Sequence, residues 1–501
     1  MEKTNQFAQH LAKVFTPHPR NTNDDDIEAY LDAPCQLSPP LKAFSPAQVR
    51  QVINRLNPHK APGYDLIDGT VLKNLPRKAI VLLTTIVNSM LRLCYYPVQW
   101  KYAQIIMIAK PGKPPTEASS YRPISLLPIM SKVFERLLLH RLDETIHIDG
   151  LLPTHQFGFR NNHSTIHQCH RVVNKIKESI EGKKMCTSVF LDIQQAFDKV
   201  WHRGLLYKLK LHLPDHLYLL LKSYLSERYF QVKVDDELSV YHPIGAGVPQ
   251  GSVLGPLLYL LYTADVPTTQ DTLMATFADD TAILSTDPDP VRVTEKLQHH
   301  LNLLQNWLEQ WGIKVNPTKS AQVTFTTRRD VCPPVNLHNT HIPAKKDVKY
   351  LGLHLDEKLT WKTHIKAKRR QLECKLKNMS WLINTRSQLS LDSKVTVYKA
   401  ILRPIWTYGI ELWGCSKPSN TKILQTFQSK TLRMISGAPW YVSNQTLHND
   451  FKIPYVAEVV RTNANKYKYC STVHSNQLIR TLFNPSVDRR LKRQWPEDLT
   501  Q

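Results

Sequence analysis

Two adjacent aspartates lie between two short apolar segments in the sequence MATFADDTAILS, which runs from Met274 to Ser285. Each apolar segment is typical of a half-buried strand, in which successive side chains point to opposite faces of the sheet. That alternation breaks at a tight hairpin tip, where Asp279 and Asp280 can both approach one point. An ordinary Asp-rich turn would have the same local sequence. The motif therefore predicts a β-hairpin, and other parts of the chain must indicate whether the pair has a function.

A third aspartate closes a different apolar strand, in SVFLDIQQAFDKVWH (Ser188 to His202). A carboxylate at the end of a buried strand is costly unless it is paired or binds a cation. Asp192 and Asp279 could meet on neighbouring strands of one sheet. Two or three carboxylates at one point suit Mg²⁺, which prefers hard oxygen ligands. Two such ions about 3.5–4 Å apart can activate a hydroxyl and hold a departing pyrophosphate.

Two further segments suggest contact with a ligand. The segment GAGVPQGSVLGPLLY (245–259) concentrates glycines and prolines before a helix, which lets its backbone approach a ligand closely. The segment IAKPGKPPTEASSYRPISLL (108–127) offers Lys110, Lys113 and Arg122, and cations on a hairpin can clamp a triphosphate. A solvated basic loop explains Lys113 equally well. It explains Arg122 less well, because an apolar run follows directly.

The charge of the chain favours a polyanionic partner. It has 65 Lys plus Arg against 42 Asp plus Glu, a formal net charge of +23. Such an excess indicates nucleic acid most often and an anionic membrane surface less often. From Trp361 to Gln501 there are 24 basic and 8 acidic residues. HIKAKRRQLECKLK, the densest run, predicts a helix with a cationic face; alone it would be a solvated helix, but the imbalance across the region favours a nucleic-acid surface.

Cysteine spacing and hydropathy indicate a reduced intracellular protein. The eight cysteines are scattered and form no C-x-x-C pair, which is typical of free thiols rather than a disulfide framework or a zinc module. The start, MEKTNQFAQH, has no signal-peptide pattern. The most apolar stretches are too short or too polar to span a bilayer. We therefore expect a soluble protein with no membrane partner.

Local signals predict an α+β chain. Ser45 as N-cap and Pro46 in the first turn predict a helix, and YFQVKVDDELSVYHPI predicts a hairpin that turns near Asp235 and Asp236. VKYLGLHL predicts a short strand. Beyond Lys358 the pattern is mostly helical. We expect an enzyme-like core with a basic helical appendage.

Nine sequence blocks resemble those of a known family. In order they are NPHKAPGYDLI, IAKPGK, YRPISLL, QFGFRNNHST, FLDIQQAFDKVWH, GVPQGSVLGPLLY, FADD, WGIKVNPTKS and KYLGLHLD. Their order and spacing resemble the reverse transcriptases of non-LTR (LINE-type) retrotransposons, most closely the jockey group. The resemblance covers roughly residues 45–430. A lone Asp-Asp pair carries little information, whereas this ordered set is specific.

The resemblance implies a right-hand polymerase fold with fingers, a palm built on an antiparallel sheet, and a helical thumb, followed by a basic, mainly helical C-terminal region. The expected divisions are a polar N-terminal leader (1–44), an N-terminal helical extension of the fingers (45–90), fingers and palm (91–356), the thumb (357–436) and a C-terminal basic region of unknown role (437–501). A thumb would track the minor groove of a template–primer duplex through backbone contacts, so affinity would fall steeply with salt.

The resemblance also implies roles at the reaction centre. Asp192, Asp279 and Asp280 would be the metal carboxylates, holding two Mg²⁺ ions for which Mn²⁺ can substitute. Lys319, in NPTKS, would protonate the leaving pyrophosphate, since lysine can act as a general acid near neutral pH. A structural surface lysine is the alternative interpretation of Lys319.

Other residues would hold the substrates. Lys110 and Arg122 would contact the triphosphate from the fingers, and Gln250 and Gly251 would line the nucleotide and template pocket. Phe197 would pack against the incoming sugar and exclude a 2′-hydroxyl, although a core aromatic is an alternative and both can hold. The primer grip is expected at Tyr350, Leu351 and Gly352.

The implied function is RNA-directed DNA synthesis during retrotransposition. Its partners would be an RNA template, a DNA primer or target, deoxynucleoside triphosphates, and a particle containing the element's own transcript. A catalytically idle RNA-binding remnant is the alternative, which the three intact aspartates disfavour; a maturase-like relative would carry extra insertions or a nuclease appendage. Full-length members carry an N-terminal endonuclease, for which 44 residues are too few, so a fragment, a truncated copy and a product that uses nicks made elsewhere all stay open. We expect the protein in both nucleus and cytoplasm, with no clear targeting signal.

Overall fold

Helices supply most of the regular structure of the chain. The computed structural model describes residues 2–20, 24–484 and 489–500. The α-helices in these residues are α1 (Glu2–Val14), α2 (Asp25–Asp32), α3 (Pro46–Asn54), α4 (Gly69–Lys73), α5 (Arg77–Leu93), α6 (Ile129–Ile146), α7 (Ile148–Leu151), α8 (Thr165–Glu181), α9 (His202–His212), α10 (Asp215–Leu225), α11 (Gly255–Tyr262), α12 (Pro290–Gln310), α13 (Lys362–Ile383), α14 (Leu391–Val397), α15 (Arg403–Thr407), α16 (Ile410–Trp413), α17 (Pro418–Ser436), α18 (Asn444–Asp450), α19 (Val456–Thr472) and α20 (Gln477–Arg480). Short 3₁₀ turns lie at Val98–Trp100, Ala118–Ser120, Thr481–Phe483 and Pro496–Thr500, and Tyr398–Leu402 is π-helical. As predicted, Ser45 is the N-cap of α3, and it forms a capping box with Gln48.

The strands form small, mainly antiparallel sheets. They are β1 (Tyr102–Ala109), β2 (Tyr121–Leu126), β3 (Met185–Leu191), β4 (Tyr229–Val234), β5 (Glu237–Leu238), β6 (His242–Pro243), β7 (Thr272–Phe277), β8 (Asp280–Asp287), β9 (Ala321–Phe325), β10 (Asn336–Leu337), β11 (Thr340–His341), β12 (Asp347–Tyr350) and β13 (Leu353–Asp356). The chain therefore has mixed helix and sheet content. In the described part of the chain no helix is both long and apolar enough to cross a membrane.

The chain divides into two compact units, each assembled from three separate stretches. The first comprises Met1–Pro153, Ile193–Pro267 and Leu303–Val315, and the second comprises Thr154–Asp192, Thr268–Asn302 and Asn316–Gln501. The five divisions expected from the resemblance are each one continuous stretch, whereas the stretches of the two units alternate along the chain. They interleave because strands that pair in one sheet come from distant parts of the chain.

The first unit contains a sheet covered by the N-terminal helix. Its strand order is β2-β1-β4-β5, with β6 also paired to β4; β1 is antiparallel to β2 and parallel to β4. Phe7 and Leu11 of α1 are buried against this sheet, and the ring of Phe15 lies edge-on to that of Phe230 at 5.1 Å. The segment expected to be a polar leader thus contributes apolar side chains to the core.

A predicted hairpin and a predicted strand have different outcomes. The hairpin expected near Asp235 is confirmed, since Lys233 pairs with Leu238 across the turn between β4 and β5. The single strand predicted for VKYLGLHL is wrong, because the segment is a second hairpin, β12–β13. Leu351 (φ 44°) and Gly352 (φ 83°) at its tip adopt left-handed conformations, which reverse the chain within two residues.

The second unit is built on a four-stranded antiparallel sheet in the order β7-β8-β3-β9. Every residue of β3 is buried. One apolar cluster joins this sheet to helices α8, α13–α17 and α19, through residues such as Phe190, Tyr350, Trp361 and Trp413. The basic helical region expected as an appendage therefore shares a core with the sheet.

The end of the described chain returns to helix α8. Glu181 accepts hydrogen bonds from the backbone N–H groups of Arg490 (2.7 Å) and Leu491 (2.9 Å) and from the indole Nε1 of Trp495 (2.7 Å). Burial alone would raise the pKa of Glu181, but these hydrogen bonds outweigh it and lower the pKa. Glu497 adds an ion pair to Lys177 of the same helix.

Replacing Glu181 with alanine is expected to destabilise the protein by about 3 kcal/mol, because it leaves the buried indole N–H of Trp495 and two partly buried backbone N–H groups without an acceptor. A carboxyl with a lowered pKa stabilises the fold above its unfolded pKa and loses that contribution as pH falls through its folded pKa. The deficit measured by urea unfolding should therefore shrink on acidification. Glu178→Ala, on the same helix but outside this network, is the control and should unfold at nearly the parent urea concentration. Equal stability of the two variants would contradict this prediction.

Candidate active site

The two adjacent aspartates lie at the tip of a hairpin, as predicted. Strands β7 and β8 pair so that Phe277 lies opposite Asp280, and Ala278 and Asp279 form the two-residue connection. Ala278 is left-handed, with φ 57°. This turn interrupts the alternation of side chains, so consecutive carboxylates leave the sheet at the same end.

Asp192 reaches the same place from the neighbouring strand. Leu191, the last residue of β3, pairs with Thr281 of β8, so Asp192 follows beside Asp280. Both carboxylates line one cleft of about 280 Å³. Burial, and then the charges of Asp279 and Asp192, raise the pKa of Asp280 to about 6. The structure thus brings the three predicted carboxylates together, and the charges of Asp279 and Asp192 act on Asp280.

Lysines line the cleft beside the carboxylates. Lys319 is one of them, in the loop before β9, and its backbone N–H donates to Asn316 Oδ1 at 3.2 Å. Lys345 and Lys349 also line the cleft, and sequence reasoning missed both. The run PAKKDVKYLG that carries them, directly before the expected primer grip, was the available signal. These cations suit the cleft to phosphate groups.

The expected primer-grip residues form the tip of the β12–β13 hairpin. Tyr350 is buried, and its hydroxyl donates to the Ala275 carbonyl at 3.1 Å. The hydroxyl of Tyr408 donates to the Leu351 carbonyl at 2.6 Å. A Cβ on Gly352 would lie 2.9 Å from the Tyr408 ring. The contacts with Ala275 and Tyr408 therefore fix the conformation of this tip.

Gln156 holds the tip of the aspartate hairpin and was not predicted. Its Oε1 accepts from the N–H groups of Ala278 (2.9 Å) and Gly158 (2.8 Å), and its Nε2 donates to the Ala278 carbonyl at 3.2 Å. A Cβ on Gly158 would overlap the backbone of Ala278. The block QFGFRNNHST contributes to the resemblance, but it gave no sign that its glutamine amide pairs with both backbone groups of Ala278.

Replacing Gln156 with leucine is expected to lower kcat for the nucleotide addition that the resemblance implies by roughly tenfold to a hundredfold, because small displacements of catalytic groups are costly. The nucleotide KM should change little, since Gln156 contacts the hairpin backbone. Steady-state kinetics would separate the two constants. Gln270→Leu, exposed just before β7, is the matched control. A kcat within twofold of the parent would show that the hairpin keeps its geometry without the amide.

A second group of predicted residues surrounds a buried carboxyl in the first unit. Asp198 is 6% exposed and accepts a hydrogen bond from Gln250 Nε2 at 2.8 Å. Burial raises its pKa to about 6, against the opposing effects of that hydrogen bond and of the charges of Lys110, Lys199 and Arg122. Sequence reasoning named Lys110, Arg122 and Gln250 but gave Asp198 no role.

The remaining predicted residues of the first unit lie on closely packed backbone segments. Gln250 O accepts from the Ser125 N–H at 2.8 Å, and a Cβ on Gly251 (φ 121°) would lie 2.6 Å from the Ser125 carbonyl. The ring of Phe197 stacks on Tyr259 at 4.6 Å. The predicted ligand-binding segment therefore packs closely on β2. The cations lie on the β1–β2 hairpin, where Ile108 pairs with Arg122.

The carboxylates fit a metal ion completed by other ligands. In the residues that the structure describes, no group of three or more His, Cys, Asp or Glu side chains is arranged as a ready-made metal site. Mg²⁺ usually takes one or two carboxylates together with waters and substrate phosphates. Asp192 and Asp280 supply hard oxygens of this kind. Burial, and then the charges of Asp279 and Asp192, raise the pKa of Asp280, and a bound cation would oppose both effects.

Comparison with known proteins identifies the family. Residues 108–355 match the family model described as reverse transcriptase (RNA-dependent DNA polymerase). The chain therefore contains a reverse transcriptase domain. All twelve predicted site residues, from Lys110 to Gly352, fall inside the matched reverse transcriptase domain. Reverse transcriptases in general use divalent metal ions.

Curated relatives confirm the resemblance to the jockey group. The chain is 44% identical to an RNA-directed DNA polymerase from mobile element jockey of Drosophila melanogaster, over all of this chain and 57% of that protein. It is 42% identical to the probable RNA-directed DNA polymerase from transposon X-element (98% of this chain, 55% of that protein) and 40% identical to that from transposon BS (98% and 56%), both of Drosophila melanogaster. The chain thus spans little more than half the length of these relatives.

Proposed function

We propose that this chain is the RNA-directed DNA polymerase of a non-LTR mobile element, which extends a DNA primer on an RNA template during retrotransposition. The observation that carries the proposal is the convergence of Asp192 with the Asp279–Asp280 hairpin in one lysine-lined cleft. The names of the curated relatives support the same reaction class.

The residues present suit two-metal nucleotidyl transfer. A primer 3′-hydroxyl attacks the α-phosphorus of a deoxynucleoside triphosphate, the new ester bond forms, and pyrophosphate leaves. Two Mg²⁺ ions, when bound, lower the pKa of the hydroxyl and neutralise charge on the phosphates. Asp192, Asp279 and Asp280 would hold them, and Lys319 in the same cleft would give a proton to the departing pyrophosphate.

The first-unit residues would bind the incoming nucleotide. Lys110 and Arg122 offer cations for the triphosphate. Asp198 fixes the side chain of Gln250, and Gln250 and Gly251 would line the nucleotide pocket. Phe197 would meet the sugar. Positioning and electrostatics of this kind supply most of the rate enhancement in phosphoryl transfer.

The right-hand division of the fold is part of the proposal. The sheet β7-β8-β3-β9 would be the palm, the β1–β2 hairpin part of the fingers, and helices α13–α17 the thumb. The thumb assignment is supported by the exposed basic face of α13. The antiparallel palm is supported by the strand order of the second unit.

The partners follow from the reaction. They would be an RNA template, a DNA primer or target, deoxynucleoside triphosphates, and a particle with the element's own transcript. We expect the protein in both cytoplasm and nucleus, since RNA packaging implies the first and integration the second. An idle RNA-binding remnant is disfavoured because such a remnant has no need to keep three repelling carboxylates together.

Primer extension on poly(rA) with oligo(dT), dTTP and Mg²⁺ tests the proposal. We expect Mg²⁺-dependent extension by the parent and none by Asp192→Asn, with duplex binding retained by both. Absence of extension by the parent, with duplex binding intact, would overturn the enzyme assignment and favour the remnant.

A further inference from the structure

Two tryptophans are left exposed in the helical part of the second unit. All ten tryptophans lie in described residues; seven are buried, Trp100 is half-buried, and Trp381 and Trp440 are 71% and 89% exposed. Tyr441, 72% exposed, lies beside Trp440 with ring centroids 6.0 Å apart. Large aromatic side chains normally provide core area, so exposed ones at neighbouring positions need an explanation.

The three rings lie at one end of a helix pair. Helices α13 and α17 run in the same direction: Asn420 donates to the Thr360 carbonyl at 3.4 Å at their N-terminal ends, and Gly437 lies against Thr385 beyond their C-terminal ends. Trp381 is in the last turn of α13. Trp440 and Tyr441 follow Gly437 by three and four residues. We call Trp381, Trp440 and Tyr441 the aromatic platform.

The loop that carries two of these rings is braced by one guanidinium. Arg433 donates to the carbonyl oxygens of Pro439 and Val442 and, at 3.1 Å, to Asn444 Oδ1. The loop is thus fixed by polar contacts to its backbone, while Trp440 and Tyr441 face solvent. A loop held in this way loses little backbone entropy when a ligand binds.

Positive charge leads along the helices toward the platform. Lys366, Arg370 and Lys377 of α13 are exposed and share a helical face with Trp381, because they precede it by fifteen, eleven and four residues. On α17, Lys422 and Lys430 are also exposed. The exposed Glu373 on α13 is paired with Arg369 at 2.7 Å. The surface therefore combines a basic stripe with flat rings at its end.

We propose that the aromatic platform and the basic stripe of α13 bind single-stranded nucleic acid, with the backbone along the lysines and arginine and unpaired bases stacked on the rings. Aromatic stacking beside a cationic track is the usual means of binding single strands without sequence preference. A duplex hides its base faces, so it gains from the stripe but not from the rings. This surface is separate from the carboxylate cleft and goes beyond the proposed polymerase function.

Binding measured without synthesis tests the proposal. Fluorescence anisotropy would give Kd values for a labelled single-stranded RNA, a DNA of the same sequence and an RNA–DNA hybrid. We expect Trp440→Ala and Trp381→Ala each to weaken single-strand binding about tenfold and to change hybrid binding by less than about twofold. Trp440→Phe should restore most of the affinity. The single strands should also quench the fluorescence of the two exposed tryptophans.

Tyr469→Ala is the matched control, since Tyr469 is 71% exposed on α19, outside the platform, and should leave every Kd unchanged. If the tryptophan variants bind single-stranded RNA and DNA equally weakly, the rings stack on bases regardless of the sugar. If only RNA binding is weakened, the proposal holds with RNA as the ligand. Unchanged single-strand binding by the Trp381→Ala/Trp440→Ala double variant would overturn the proposal. Equal loss of hybrid binding would also overturn it, because the rings would then contact a duplex rather than unpaired bases. These binding measurements do not depend on synthesis, so they stay interpretable even if the unmodified protein fails to extend primers.

Discussion

Replacing Asp280 with asparagine is expected to reduce primer extension by about 10³-fold or more, equivalent to about 4 kcal/mol of transition-state stabilisation. The same change should raise the melting temperature of the metal-free protein. The loss of activity follows because Asp280 shares the cleft with Asp192 and would hold the metal there. The gain in stability follows because a neutral amide removes the repulsion among three carboxylates.

The stability gain has a defined pH dependence. Burial, then Asp279 and Asp192, raise the pKa of Asp280 to about 6. A carboxyl with a raised pKa contributes its stability fully below the unfolded pKa and loses it as pH rises through about 6. The variant should therefore match the parent near pH 4 and exceed it above about pH 7. Because Asp280 keeps a side open to solvent, we expect about 1 kcal/mol after screening, or roughly 2–4 °C.

Asp236→Asn is the control for this experiment, because Asp236 is an exposed aspartate at the β4–β5 turn. Neither its extension rate nor its melting temperature should change. Thermal unfolding of all three proteins across this pH range, beside their extension rates, gives both readouts. An Asp280→Asn protein that is less stable than the parent at neutral pH would contradict the repulsion.

Replacing Phe197 with alanine is expected to raise the use of ribonucleotides relative to deoxynucleotides by roughly 10²-fold. The ring is held against Tyr259 at 4.6 Å, and the Phe197 carbonyl accepts from the Val248 N–H at 2.8 Å. A fixed ring beside the sugar would exclude a 2′-hydroxyl, and alanine would leave room for it. The measurement is the ratio of kcat/KM for GTP and dGTP on a cytosine-containing template.

Phe197→Tyr is the matched variant for this position. It keeps the ring and should preserve discrimination against GTP within a few-fold. If alanine lowers kcat/KM for both nucleotides equally and leaves their ratio unchanged, Phe197 serves only as a core aromatic.

Local sequence predicted the parts of the site that depend on strand patterning. The alternation around Asp279 and the apolar run before Asp192 indicated strand ends, and the turn signal at Asp235 indicated a hairpin; all three are found. The β12–β13 hairpin was missed because leucine seldom adopts the left-handed conformation that Leu351 has at its tip. Packing of neighbouring backbone elements fixes that conformation.

The remaining parts depend on partners that are distant in sequence. Gln156 bonds to Ala278 across 122 residues, and Gln250 bonds to Asp198 across 52. No periodicity or spacing within one segment signals such pairs, since a glutamine on a loop is an ordinary surface residue. The buried face of α1 was missed for a related reason: its few apolar residues are spread through a polar sequence, and only the sheet they cover gives them a function.

The contact between Glu181 and the backbone of residues 490 and 491 joins positions 309 and 310 residues apart, which constrains the order of events on the ribosome. At about 5–20 residues per second, roughly 15–60 s separate the synthesis of α8 from that of the segment that completes it. Until that segment is made, α8 and the sheet β7-β8-β3-β9 that follows it in the chain keep part of their apolar surface uncovered. Completion of the second unit therefore waits for that segment, and molecular chaperones that shield nascent apolar surface should associate with this chain during its synthesis.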